Sequence, residues 1–372
     1  MNFIEEFKKG QAGGNKGLYM GDGLANISKF IGGVQKHRIY GFASGPKVGK
    51  STTVDYGFVI QPYLYALENG VDVEWIYYSF EIDRVSKEFD FAIYFLYHDY
   101  GIERVSLPEG ITVRGESIID ISPDYLRGRM LDDNGNIVTV KEEIYTVLKL
   151  VYTERIIPMF GEWSANGIMI RPGAIDFIEQ KDNPTGIYKD LKSHAEKVGH
   201  FIKNSVGRII GYKNTSAPDR YTIIIIDHLR KLVPERGFQL KQTVDKMSEY
   251  MVELRNWCDY IFVPIIHTNR NLADAGKMSF SGDELYPTGD DIKDTGNLSE
   301  DVDYLFTMFD PNDTKYKLKK HFDLDLRDSR GAPFYPRLRT IHLVESRHTQ
   351  FPLHFKVNMF GNLKNFKQIE TT

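Results

Sequence analysis

A single stretch limits the possible folds more than any other part of the chain: Ser44-Gly45-Pro46-Lys47-Val48-Gly49-Lys50-Ser51-Thr52, which follows an apolar run and precedes a helical pattern. Glycines let the backbone wrap tightly, so that successive N–H groups point inward. The helix start that follows adds unsatisfied donors and the positive end of its dipole. The result is a cradle for an anion. Within it Lys50 is placed to reach the β and γ phosphates of a nucleoside triphosphate, and Ser51 offers a hydroxyl to Mg²⁺. Backbone amides from Ser44 to Thr52, with Pro46 lining the loop but lacking an N–H, form the rest of the contact set. The usual pattern opens with glycine where this chain has Ser44, while the Gly-Lys-Ser end is intact. The bland alternative is a Gly-rich turn carrying a solvated lysine; a strand before and a helix after argue against it.

Such a loop needs neighbouring strands. Residues 38–43, 73–80, 221–226, 260–266 and 303–308 are rich in Ile, Val, Tyr and Phe and read as buried strands. Between them, 243–257 puts Val244, Met247, Met251 and Leu254 on one helical face. Strands alternating with helices predict an α/β fold with a mainly parallel twisted sheet covered on both faces. The run 221–226 leads directly into Asp227, an acid at a strand end where a Walker B carboxylate supports the metal. An Asp there can also simply cap the next helix. Residues 338–344 and 353–359 predict a C-terminal antiparallel hairpin. From about 101 to 214 the alternation is lost, and 132–136 carries a turn signal, so an insertion is expected at about 101–180. Residues 1–16 read as an amphipathic helix with Phe3, Ile4 and Phe7, then a Gly-rich linker, and 17–372 as the main domain.

With 372 residues, 41% of them hydrophobic, the chain can bury a large core. Its net charge of −4 excludes a generally basic nucleic-acid coat, so any such contact must come from local patches. The single Cys258 excludes an internal disulfide and a Cys-rich zinc site. His194 and His200 match no ligand spacing. Neither a secretory leader nor a membrane-spanning run is evident, which predicts a cytoplasmic protein without a membrane partner.

Taken in order, several segments resemble the DnaB-type hexameric helicases of superfamily 4. Gly17 to Gly33 is similar to the lead-in before the family's first core strand. Tyr77-Tyr78-Ser79-Phe80-Glu81 resembles the strand that ends in its catalytic glutamate. Asn183-Pro184-Thr185-Gly186-Ile187 resembles the approach to its Walker B strand. His267-Thr268-Asn269-Arg270 sits where the family has a polar sensor. The stretch 295–303 is similar to the lead into a late core strand, and Glu345-Ser346-Arg347 falls where an arginine finger lies on a hairpin. The resemblance covers 17–100 and 180–367. It points to a phage-type member without the family's N-terminal domain.

That resemblance implies a RecA-like core in which Glu81 orients or deprotonates the attacking water, His267 reports the γ-phosphate and Arg347 reaches a neighbouring subunit's nucleotide. It further implies ATP and Mg²⁺ as ligands, a hexameric ring, and single-stranded DNA held by the loops after the Walker B and sensor strands. The first of these loops carries Arg230, Lys231, Arg236 and Lys241 against Glu235, a patch suited to phosphates. The second, 269–297, is acidic overall. The expected function is an ATP-dependent DNA helicase in replication. The alternative is a RecA- or KaiC-like ATPase in recombination or regulation without unwinding, favoured by the acidic second loop and by Glu345 in the place of the family's lysine.

Overall fold

The computed structural model describes residues 17–268, 278, 281–292 and 298–369. The helix expected over 1–10, and Asn269, Arg270 and most of the acidic loop after them, lie outside the described residues. The chain divides into two bodies, one of Met1–Phe80, Gln180–Met359 and Phe366–Thr372, the other of Glu81–Glu179 and Phe360–Asn365.

In the first body the apolar runs form β1 (Arg38–Ser44), β2 (Val73–Ser79), β3 (Tyr221–Asp227), β4 (Ile261–His267), β5 (Tyr304–Phe309), β6 (Leu338–Ser346), β7 (Leu353–Phe360) and β8 (Asn365–Gln368). They lie side by side in the order β8-β7-β6-β5-β1-β4-β3-β2. Strands β2 to β5 run parallel with β1, whereas β6 and β7 add as an antiparallel hairpin beside β5. Strand β8 has no counterpart in the sequence-based expectation; it is short, and only Phe366 is buried in it. The sheet is mainly parallel, as the alternation of strands and helices predicts.

Ile223, Ile224, Ile225 and Ile226 of β3 are all fully buried. A strand covered on both faces has no polar side, so its sequence reads as an unbroken apolar run. Across the β1–β5 pairing, Tyr40 stacks on Tyr304 with centroids 5.3 Å apart and Phe42 on Phe306 at 4.9 Å. Pairs of this kind add about 0.5–1.5 kcal/mol each beyond their area. They fix the register in which Ser44 ends level with Met308.

Helix α1 (Ala25–Ile31) stops at Gly32, whose φ of 73° is the left-handed conformation that favours glycine. Helix α2 begins at the loop after β1 and runs through Lys50–Val54, a π-helical turn Asp55–Ile60, and Gln61–Asn69. Strand β2 locks it: the Trp75 indole donates to the Phe58 carbonyl at 2.7 Å, and the Tyr77 hydroxyl to Asp55 Oδ1 at 3.0 Å. Helices α3 (Pro184–Val198) and α4 (Leu240–Cys258) complete the main framework. The buried face of α4 includes Val244, Met247, Met251 and Leu254, the set that its spacing predicts.

Just before β5, Asp303 carries a concentrated charge in the core. One carboxylate oxygen accepts from the Ile39 amide at 2.9 Å and from Arg255 at 2.8 Å, the other pairs with His348 at 2.8 Å. Burial pushes the Asp303 carboxyl up, but His348, the Ile39 amide and Arg255 outweigh it and hold the group below its usual range. A carboxylate with a depressed folded value contributes stability that is present above its unfolded pKa and lost as pH falls through the folded one. Asp303→Ala, which strands a buried guanidinium, is expected to cost about 3–5 kcal/mol near neutral pH. The gap from wild type in chemical denaturation should narrow in acid; a gap that stays constant with pH would contradict this account.

The second body is helical with small hairpins. Its helix Arg84–Tyr100 starts at Asp83, whose side chain accepts from the Ser86 amide at 2.8 Å, and it buries Phe91, Ile93, Phe95 and Leu96. Phe91 meets Phe160 edge-to-face at 5.2 Å. Short hairpins pair Arg104–Ser106 with Ile118–Asp120 and Glu162–Trp163 with Met169–Arg171. The turn signal at 132–136 is realised as a bridge between Leu131 and Ile137.

Candidate functional site: the loop between the first strand and its helix

The loop after β1 combines two left-handed backbone positions with a buried start. Lys47 adopts φ 61° and Gly49 φ 112°, while Ser44 is fully buried at the strand end. Gly49 is the N-cap of α2 and supplies no side-chain cap, so the first amides of the helix receive nothing from the position where a Ser or Asp would cap them. Thr53 closes back on the loop, its amide and hydroxyl both donating to the Gly49 carbonyl at 2.9 Å. A curled backbone ending in an uncapped helix start is an anion-binding geometry.

Gly49 is also required by packing. A Cβ there would meet Met359 Sδ at 2.3 Å and its methyl at 2.9 Å, so β7 presses on the loop from outside. From β6, Arg339 Nε donates to the Val48 carbonyl at 3.1 Å, while its Nη2 pairs with Asp310 at 3.0 Å. Burial lowers the Arg339 pKa, with Asp310 opposing that shift. Local sequence gives no signal for Arg339, because the contact joins distant parts of the chain across the sheet.

Inside the fold the loop's lysine meets a chain of histidines. Lys50 is buried and its Nζ lies 3.3 Å from His267 Nδ1. An ammonium can only donate, so Nδ1 of His267 accepts and its proton sits on Nε2. That nitrogen lies 3.3 Å from His228 Nε2, with the rings edge-to-face at 4.3 Å. His228 follows Asp227 and was missed from sequence; the signal was an imidazole directly after an apolar strand and its acid.

The sheet order explains why these groups meet. Ser44 pairs with His267 across β1 and β4, and the Thr268 amide donates to the Ser44 carbonyl at 3.1 Å. Asp227, buried, stands level with Ser79 at the same ends of β3 and β2, and its carbonyl accepts from the Phe80 amide at 2.9 Å. Parallel strands thus bring the loop, His267 and Asp227 together at the carboxyl ends of three adjacent interior strands. Ser51 and Thr52, half-buried, sit in the first turn of α2, while Pro46 and Lys47 are exposed and Gly45 and Val48 half-buried. Glu81 is exposed and is the first residue of the second body, directly after Phe80 in the chain.

Arg347 is elsewhere. It follows Ser346, which pairs with Tyr304 at the start of β5, whereas Ser44 is level with Met308 near the end of β5. At about 3.3 Å per residue the two levels differ by roughly 13 Å along the sheet. The exposed Arg347 guanidinium donates to the Glu300 carbonyl, and its amide to the Asp303 carbonyl at 3.1 Å. Two residues earlier, burial and then the charges of Asp290 and Glu300 raise the pKa of Glu345.

After β3 a short turn, Leu229–Lys231, leads into the loop before α4. Lys231, Arg236 and Lys241 are exposed and Arg230 is half-buried. Glu235 points back into the protein: it accepts from the Lys246 ammonium at 2.6 Å and from the Thr185 hydroxyl at 2.5 Å, which hold its carboxyl below the usual range. The loop's one acid is thereby committed to α3 and α4.

The architecture recurs in solved structures. One described as an ATPase domain superposes with a TM-score of 0.63 at 11% identity, over 99% of this chain and 97% of that one. A structure of a DnaB-like replicative helicase and its interactions with primase gives 0.63 at 11%, over 99% of this chain and 67% of that one. This chain has the RecA-like fold of those ATPase domains. No protein-family model matches the sequence, and no curated protein matches it. At 11% identity the likeness is one of fold.

Gly49→Ala tests the loop. It forces a side chain into an unfavourable φ, costing of order 1–3 kcal/mol, and against the Met359 sulfur. Triphosphate affinity by calorimetry should fall at least about tenfold, the equivalent of about 1.4 kcal/mol, with only a modest drop in melting temperature; unchanged affinity would show that the loop holds no phosphate.

Proposed function

We propose that the chain is an ATP-dependent DNA helicase motor of the DnaB type, acting in replication in the cytoplasm as a hexameric ring on single-stranded DNA. The observation that carries this reading is the convergence of the uncapped start of α2, Lys50 with its link to His267, and buried Asp227 at the carboxyl ends of adjacent strands. These groups fit a triphosphate and its ion. The N–H groups between Ser44 and Thr52, Pro46 having none, and the Lys50 ammonium would hold the phosphates, and the Ser51 hydroxyl with the Asp227 carboxylate would hold Mg²⁺. The ion would neutralise charge building on the phosphoryl oxygens.

The chain's own groups then divide the work. Lys50 supplies positive charge to the β and γ phosphates. Its donation to His267 links phosphate occupancy to the end of β4 and on to His228, next to the cationic loop. Loss of the γ-phosphate would be felt along that line. Glu81, at the end of the segment leaving β2, serves as the carboxylate that orients water. Arg347 lies too far along the sheet to reach its own loop, which supports action on a neighbouring copy's nucleotide. A finger supplied in trans is worth about 10³–10⁵ in rate. Arg230, Lys231, Arg236 and Lys241 would contact the strand.

In an ATPase titration with single-stranded DNA, duplex and no DNA, run with a sizing measurement, turnover should rise with single strands and a nucleotide-dependent oligomer should form. Lys50→Ala should abolish turnover and Glu81→Gln should retain bound ATP while halting hydrolysis. Unchanged hydrolysis in either variant would remove that residue's assignment. Adding Arg347→Ala subunits to wild type should depress activity more steeply than their fraction; a strictly proportional loss would argue against a finger in trans.

A second reading, a RecA- or KaiC-like ATPase without unwinding, is favoured by Glu345. Its carboxylate stands among other acids where the helicases carry a second cation. Nucleotide-dependent assembly without strand separation would select it.

A further inference from the structure

Between α3 and β3 the chain forms a two-stranded hairpin, Gly199–Lys203 paired with Ile209–Asn214. It carries Lys203, Arg208 and Lys213, with no Asp or Glu from 199 to 214, in a chain whose net charge is −4. Among the described residues none of these three side chains has an ion-pair partner, and all three residues are exposed. Alongside them Ile202, Val206 and Ile210 are 43%, 82% and 62% exposed.

The hairpin carries these exposed side chains on a fixed base. An isolated pair of strands is marginal in water, and this one is anchored at its base. Phe201 and Tyr212 face each other across the strands at 5.3 Å, Phe201 meets Trp257 of α4 at 6.0 Å, and Lys192 of α3 lies 5.5 Å over the Phe201 ring. The Tyr212 hydroxyl donates to the Ala195 carbonyl at 2.8 Å. The tip is equally organised. Asn204 Oδ1 accepts from the Val206 amide at 3.2 Å and the Arg208 amide at 2.9 Å, and Gly207 turns at φ 78°. Strand alternation sends Phe201 and Tyr212 inward and leaves His200, Ile202 and Lys213 on the other face.

We propose that this hairpin is a second nucleic-acid contact, in which Lys203, Arg208 and Lys213 bind backbone phosphates and the aliphatic tip lies against sugars and bases. Three unpaired cations without a counter-charge favour a polyanion. Lysine is depleted at protein–protein interface cores, which makes a protein partner the poorer match. Aliphatic side chains presented beside cations are also the means by which proteins wedge into base steps. The proposal rests on the reading of the chain as a DNA-binding motor, and adds a contact outside the loop that follows β3.

The test is equilibrium binding of fluorescent single-stranded and duplex oligonucleotides across a salt series, comparing wild type with K203A/R208A/K213A. The variant should bind about tenfold or more weakly. Loss of three phosphate contacts should reduce the slope of log K against log salt by about 2 for a single strand and nearly 3 for a duplex; the strand type that shows its full reduction is the one the hairpin engages. Wild-type affinity and slope in a folded variant would overturn the hairpin contact while leaving the motor reading standing. Wild type that binds no DNA would overturn both. DNA binding without ATP hydrolysis would remove the motor and keep the hairpin.

A second measurement does not depend on the triple variant folding. The chain's one cysteine, Cys258, is buried, so a V206C variant takes a fluorophore at the hairpin tip. Addition of oligonucleotide should change its emission with the same midpoint as binding. An unresponsive label under saturating DNA, or a change in oligomeric state at unaltered DNA affinity, counts against the contact.

Discussion

The organisation of this protein depends on what happens to backbone N–H groups where β1 turns into α2. A helix start leaves its first amides without intrahelical partners, and burying them unsatisfied is costly. Here the N-cap is Gly49, which offers no side-chain acceptor. Met359 and Arg339 nevertheless press the loop into its curled form from strands beyond β5. Such a loop is held in place with its helix start uncapped, and the rest of the sheet supports that geometry.

That support is asymmetric along the strands. At the loop end, β4 and β3 present His267, His228 and Asp227, with the two histidines linked to Lys50. At the opposite end, Asp303 collects Ile39, Arg255 and His348 into a buried charge cluster, and Arg347 follows directly after β6. The stacked aromatics of β1 and β5 lie between and set the register connecting the two levels. The loop and Arg347 of one chain therefore stand at different levels of the sheet. The cationic surfaces occupy different places again. In the loop after β3 the one acid, Glu235, is drawn inward, and the 199–214 hairpin contains no acid at all.

How much of this was legible beforehand follows from the range of each interaction. Runs such as 221–226 were readable as strands because a strand buried on both faces must be apolar throughout, and α4 because its apolar residues recur at helical spacing. The Gly-Lys-Ser loop was readable because its chemistry is local. The hairpin at 199–214 was hidden inside a region without obvious alternation: its strands are short, the pairing carries a bulge, and its outward face mixes Ile202 with His200 and Lys213. Strand β8 was too short, and too polar around Phe366, to stand out.

From local sequence alone came the strand-forming runs, the tight Gly-Lys-Ser loop between a strand and a helix, and the acid that ends β3, since each depends on residues close together in the chain. Tertiary structure alone decided that β4 lies between β1 and β3, so that His267 meets Lys50 and His228 on either side. It also decided that Arg339 and Met359 clamp a loop far away in the chain, and that Arg347 stands at the far end of the sheet from it. Those facts depend on strand order and register, which arise from packing between distant segments and leave no pattern in any local stretch of sequence.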